Sequence, residues 1–202
     1  MDKKVILVGG FHEIIELCEE NKVQITGIID PHLTEQTYWG CPVLGKDEDA
    51  ERLYDFYKEV PVLITPDLPR IRFKLYNYYT QIGFKVASLI SKDAYVSRSA
   101  KIGEGTIVQR GVHISSNVNV GKMVKLNTNA NVMHDCQVKD YATVAPDAIL
   151  LGKVIVNEAS YIGANATLLP EIVIGENVIV GAGAVVTKRV QPNTIVKGIP
   201  AK

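Results

Sequence analysis

From Ile90 onward every sixth residue is aliphatic without a break: Ile90, Val96, Ile102, Val108, Ile114, Val120, Leu126, Val132, Val138, Val144, Leu150, Val156, Ile162, Leu168, Ile174, Val180 and Val186. The residue two before each is usually small or β-branched, as at Ala94, Thr106, Val124, Cys136, Ala142, Ser160 and Ala184, and glycine often follows, at Gly103, Gly121, Gly163, Gly175 and Gly181. A period of six matches neither the 3.6-residue turn of an α-helix nor the two-residue repeat of a strand. It suits short strands joined by tight corners in a parallel β-helix, three hexads to a triangular coil. The register is uninterrupted, and one inserted residue would have thrown every later aliphatic side chain off the inward stripe. The aliphatic and small positions are therefore the expected core, and the outer faces are left for partners.

The chain before this array has a different grammar. Val5 to Val8 reads as a buried strand, Phe11 to Glu20 has helical spacing through Ile14, Ile15 and Cys18, and Ile25 to Ile29 is a second strand closing on Asp30. Val60 to Ile64 predicts a third strand. Arg70 to Gln81, with Ile71, Leu75, Tyr78 and Tyr79, predicts an amphipathic helix, and Phe84 to Leu89 a last strand. Strands separated by helices imply a small, Rossmann-like parallel sheet over residues 1–88, followed by the β-helix over 89–202.

With 202 residues, 47% of them hydrophobic, the chain can build real cores without staples. Its 22 basic and 22 acidic residues cancel, which argues against nucleic acid or an anionic membrane surface as partner. Cys18, Cys41 and Cys136 form neither a disulfide framework nor a metal knuckle and fit a reducing cytoplasm. The apolar run at the N-terminus is too short for a signal sequence or a membrane span.

Of the four histidines, His134 stands out. It lies two residues after inward-facing Val132 and two before small Cys136, so it occupies neither inward slot and should project from the coil. An exposed imidazole beside the carboxylate of Asp135 suits general-base chemistry near neutral pH. Cys136 falls in an inward slot and reads as packing rather than as a nucleophile. A zinc site of three histidines is ruled out, because only His113 and His134 lie in the array and their separation of 21 residues does not stack them coil on coil. No metal is expected.

The segments Asn127 to Val138, Leu150 to Val156, Tyr161 to Gly175, Val178 to Val190 and Lys197 to Lys202 resemble the sugar N-acyltransferases of the PglD/NeuD type, in the hexapeptide-repeat acyltransferase superfamily. The resemblance implies a left-handed β-helix carrying acetyl-CoA, preceded by a nucleotide-sugar domain, in a cytoplasmic homotrimer with active sites between subunits. The implied reaction moves an acetyl group from acetyl-CoA to the amine of a nucleotide-linked amino sugar. His134 would act as base with Asp135 assisting, and Asn127 would lie near the substrate amine. Direct attack then needs only the base, orientation and an amide donor for the oxyanion.

By the same resemblance, small residues along the coil edge let the pantetheine arm of CoA approach the backbone, at Gly152, Gly163, Ala164, Gly181 and Ala182, and Thr143 matches a cofactor contact. Lys188 would face the CoA phosphates or simply solvent. Gly9 and Gly10, at a strand end before a helix, with Phe11, His12, Asp30, Pro31 and Thr65, would form the nucleotide-sugar site. Relatives carry Gly and Asn after the third strand, where this chain has Thr65, Pro66 and Asp67. Competing readings are O-acetylation of a sugar or serine hydroxyl, against which the separate N-terminal domain argues, and a non-enzymatic scaffold, which would show regular threonine ladders.

Overall fold

The computed structural model describes residues 3–202 and resolves two compact units. One comprises the chain up to Pro66 together with Ile71–Leu89, the other Asp67–Arg70 together with Ile90–Lys202.

In the first unit, β1 (Lys4–Val8), α1 (His12–Glu20), β2 (Gln24–Ile29), β3 (Thr37–Tyr38), β4 (Cys41–Gly45), α2 (Ala50–Tyr57), β5 (Val62–Ile64) and, from Ile71 on, α3 (Pro69–Ile82) follow in chain order. The sheet runs β3-β4-β2-β1-β5, parallel except for the antiparallel β3–β4 hairpin. Ile6, Leu7, Ile14, Ile15, Ile28, Ile29, Leu63 and Ile64 are fully buried at its centre. Pro69 opens α3, where the missing N–H is no loss. The stripe expected on this helix is shifted. Ile71 and Tyr78 are exposed, while Tyr79 and Arg72 are buried, the first donating to Asp47 Oδ1 at 2.7 Å and the second to the Pro66 carbonyl at 2.9 Å.

Two expectations need correction, and one unassigned stretch gains an element. The sheet is not purely parallel, because Trp39 and Gly40, with φ of 48° and 74°, form a two-residue turn that folds β3 back on β4. Helix α2 fills a stretch the sequence left unassigned. Phe84 to Leu89 is no full strand: it makes one parallel bridge, Val62 with Val86, before Leu89–Ile90 starts the next sheet.

The second unit is a left-handed parallel β-helix. Its two-residue strands form three sheets of six, five and seven strands, in which strands pair with those 18 residues on, as His113 with Asn131 and Lys125 with Thr143, until the last pair, Ile179 with Ile195, closes the spacing to 16. Up to Val185–Val186 the second residue of each strand is the predicted aliphatic one, and from Val108 to Val186 all are buried, together with most of the small positions two before them. Ile90, at the start of the stack, is 40% exposed.

A further period-six signal sets the corners. Gly105, Gly111, Asn117, Met123, Asn129, Asp135, Tyr141, Asp147, Lys153, Ala159, Asn165, Glu171, Asn177 and Gly183 all have φ between 54° and 70°, the left-handed conformation that Gly, Asn and Asp adopt most readily. Two inward slots hold hydroxyls instead of methyls. Thr106 Oγ1 donates to the Gly121 carbonyl (2.9 Å) and accepts from Val124 N (3.2 Å), and Ser160 Oγ does the same with Gly175 O (2.7 Å) and Val178 N (3.1 Å). Both groups are buried but satisfied.

Candidate active site

Met133, His134 and Asp135 make the corner that leaves the strand Asn131–Val132. Asp135, at φ 60°, folds its carboxylate back so that Oδ2 meets His134 Nδ1 at 2.9 Å, while Oδ1 accepts from Asn117 Nδ2, one coil earlier, at 3.3 Å. The hydrogen bond from His134, reinforced by Asn117, holds the Asp135 carboxyl below its ordinary range, so it stays ionised. With Nδ1 engaged by the carboxylate, Nε2 is the ring nitrogen left for proton transfer. The imidazole is 56% exposed, outside the coil. One coil on, Gly152 lies directly beneath it: a Cβ there would meet His134 Cε1 at 2.6 Å and Nε2 at 2.7 Å. Gly152, expected as a cofactor contact, thus leaves the room in which the imidazole sits.

Asn127 stands at the preceding corner of the prism, after the strand Lys125–Leu126, and is 5% exposed. Its Nδ2 donates to Asp67 Oδ1 at 3.2 Å. The same carboxylate oxygen receives Lys125 Nζ at 2.9 Å, with the lysine side chain only 3% exposed. Thr143, also fully buried, donates its hydroxyl to the main-chain oxygen of Asp67 at 2.7 Å. Asn127, expected near the substrate amine, thus commits one of its two amide N–H donors to Asp67. Asp67 and Lys125 were missed as parts of this cluster. No spacing links position 67 to positions 125, 127 and 143, and only the fold brings Asp67–Arg70 to the β-helix.

The expected cofactor residues divide between two corners. Gly163 and Gly181 stack 18 residues apart in the column of Asn127, with Ala164 and Ala182 beside them. Gly152 and Lys188 share the column of His134, and Lys188 is exposed. Glycine at 163 is demanded by the coils themselves, since a Cβ would lie 2.6 Å from Ala182 N and Val180 O. Cys136 is buried, donates its thiol to Leu151 O at 3.1 Å and has its pKa pushed up to about 11 by burial.

In the first unit the expected substrate residues gather at the C-terminal ends of β1, β2 and β5, where the chain reverses its direction of travel across the sheet. Such a switch point is where open α/β sheets bind ligands. Gly9 has φ 101°, and a Cβ there would strike Thr65 Oγ1 at 2.5 Å; Thr65 donates to the carbonyls of Val8 and Gly9. Asp30 accepts from Gly10 N (2.7 Å) and His32 N (2.8 Å), tying the loop after β2 to the glycine turn. Phe11 caps α1 through extended backbone and Pro31 is exposed beside Asp30. His12 stacks on Trp39, ring centroids 5.3 Å apart and 19° between planes. No sequence signal pointed to Trp39, because the hairpin that carries it was not legible. Among the described residues no cluster of three metal-ligating side chains occurs, and no helix is long and apolar enough to cross a membrane.

Residues 153–188 match the bacterial transferase hexapeptide (six repeats) family. A histidine-to-alanine variant of GDP-perosamine N-acetyltransferase from Caulobacter crescentus, crystallised with CoA and GDP-perosamine, is 30% identical, with a TM-score of 0.93 over 100% of this chain and 97% of that one. The acetyltransferase domain of PglB from Neisseria gonorrhoeae, in complex with acetyl coenzyme A, is 28% identical, with a TM-score of 0.91 over 100% and 99%. WeeI from Acinetobacter baumannii is 28% identical, with a TM-score of 0.86 over 99% of each chain. An uncharacterized protein of Acanthamoeba polyphaga mimivirus is 31% identical over 105 residues, 52% of this chain, and the chain spans only 20% of the length of that curated relative.

A small α/β unit joined to a left-handed β-helix with a corner histidine defines an acyltransferase of the hexapeptide-repeat class. Within that class, the chain belongs to the PglD/NeuD-type sugar N-acyltransferases.

Proposed function

We propose that this protein transfers the acetyl group of acetyl-CoA to the amine of a nucleotide-linked amino sugar, in the cytoplasm and as a homotrimer. The observation that carries the reading is the His134–Asp135 pair, Nδ1 to Oδ2 at 2.9 Å with the ring exposed, in a chain matched along its full length by enzymes crystallised with CoA and a nucleotide amino sugar. The amine lone pair attacks the thioester carbonyl, and His134 Nε2 takes the proton that the amine sheds as the C–N bond forms. Collapse of the tetrahedral intermediate breaks the C–S bond, and the proton passes to the departing thiolate to give the amide and free CoA. Asp135 holds the ring by Nδ1 and balances the imidazolium. Gly163, Ala164, Gly181 and Ala182 present the low-relief coil edge for the pantetheine arm, Thr143 and Gly152 flank it, and Lys188 supplies a cation for phosphate.

The nucleotide belongs at the switch point of the first unit, with Gly9, Gly10, Phe11, His12, Asp30, Pro31 and Thr65 around it. A site shared between subunits is supported by the placement of Asn127 and His134 after successive strands, at different corners of the prism.

Thiol release from acetyl-CoA, measured with UDP- and GDP-linked 4-amino-4,6-dideoxy sugars and with their 4-hydroxyl counterparts, tests the reaction. Turnover with the amines that disappears in His134→Ala is expected, and turnover with the hydroxyl sugars alone would replace N-acetylation by O-acetylation. Mixed trimers of His134→Ala and Asn127→Ala subunits should recover part of the activity that neither variant has alone. No recovery would refute the shared site.

A further inference from the structure

Asn127 Oδ1 is buried without a hydrogen-bond partner, in a residue 5% exposed. Native proteins seldom leave such an acceptor unmatched unless a ligand or an ordered water supplies the donor. The direction of this amide is set by chemistry rather than by choice of atom labels. A carboxylate oxygen only accepts, so the NH2 end of Asn127 must face Asp67 Oδ1 (3.2 Å) and the carbonyl end must face away from it. Asp67 is itself held on two sides, by Lys125 Nζ on the same Oδ1 at 2.9 Å and by the Thr143 hydroxyl on its main-chain oxygen at 2.7 Å. Donation to a charged acceptor polarises the amide and strengthens its carbonyl as an acceptor in turn.

We propose that Asp67 is a positioning residue that locks Asn127 with its carbonyl oxygen toward the acceptor substrate, so that Asn127 accepts an N–H hydrogen bond from the sugar amine instead of donating to the thioester oxyanion. The proposal rests on the N-acetyltransferase reading of the same site. An acceptor at this point orients the amine by one of its N–H bonds and leaves the lone pair free for the thioester carbon. A donor there would compete for that lone pair. The Asp67 carboxylate has no direct part in the reaction and acts only through Asn127.

The test compares Asp67→Leu, Asp67→Asn, Asn127→Ala and the double variant Asp67→Leu/Asn127→Ala. Asp67→Asn keeps an oxygen that can receive both Lys125 and Asn127, whereas Asp67→Leu does not. Asp67→Leu should lower kcat/KM for the amino sugar about tenfold or more, the scale of a lost hydrogen bond to a charged group, and leave KM for acetyl-CoA unchanged. Asp67→Asn should restore most of the loss, and the double variant should be no worse than Asn127→Ala alone, because the two residues act in series. Additive losses, or an equal rise in both KM values, would overturn the proposal. A second readout needs no turnover: in protein carrying 15N-asparagine, the Asn127 side-chain NH2 signals, assigned by their loss in Asn127→Ala, should shift and exchange faster with water in Asp67→Leu. An unchanged NH2 signal would overturn the locked orientation even in an active enzyme, whereas a wild type inactive on every amino sugar but with a shifted signal would refute the reaction and leave the lock standing.

Discussion

Replacing Gly152 by alanine should separate catalysis from folding. The backbone of Gly152 is not in the left-handed region, so alanine meets no conformational penalty, and the stiffer unfolded chain stabilises the fold by about 0.4–1 kcal/mol. The new Cβ would lie 2.6 Å from His134 Cε1 and 2.7 Å from Nε2, where ordinary contact begins near 3.4 Å, so the ring must retreat by about 0.8 Å. Because the imidazole is 56% exposed it can swing outward without disturbing the core, and the strain falls instead on the 2.9 Å bond to Asp135. Displacing the base by that distance should lower kcat roughly tenfold to a hundredfold. The assay pairs thiol release with a thermal melt of the same preparation. A variant with wild-type kcat, or one whose activity falls only in step with its melting temperature, would refute the idea that Gly152 exists to seat His134.

Ser160→Ala leaves Val178 N and the Gly175 carbonyl without their buried partner and should destabilise the protein by about 1–3 kcal/mol in urea unfolding, although alanine is the commoner residue in such slots. The Asp135 carboxyl is held below its unfolded value, so its contribution to stability is complete above about pH 4 and is lost as the pH falls through the lower folded value; melting curves of wild type and Asp135→Asn should differ above that pH and converge below it. Burial pushes the thiols of Cys18 and Cys136 up to about 12 and about 11 and also raises that of Cys41, which alone is only half-buried; access therefore decides, and a thiol reagent should label Cys41 first in the native protein and all three cysteines after unfolding. Rapid labelling of native Cys136 would reopen its reading as a nucleophile.

The β-helix was legible because its constraint is strictly periodic: a residue's role depends on its place in the hexad, and the hexad never slips. The His134–Asp135 pair was legible because the partners are adjacent in the chain. The hairpin of β3 and β4 was not, since its strands are short and its turn uses Trp39 at φ 48°, where a turn reading looks for Asn, Asp or Gly. The link between Gly152 and His134 lay within reach, because a separation of 18 residues stacks one above the other once the coil length is known.

That coil length also sorts the residues around the site into two kinds. Asn117, Asp135, Lys153 and Glu171 stand 18 residues apart in one column, joined by the Asn117–Asp135 bond and by the contact of Lys153 with Glu171 at 3.3 Å. Substitutions along such a column couple to their vertical neighbours, and the partners can be read from the numbering alone. Asp67 obeys no such rule. It reaches the prism from outside the repeat, and its bond to Asn127 spans 60 residues that carry no common period. The repeat can therefore supply the base, its carboxylate and the space for both, while the orientation of Asn127 depends on a residue the repeat does not contain. A change of acceptor sugar could then arise by altering positions 67–70 with every hexad left intact.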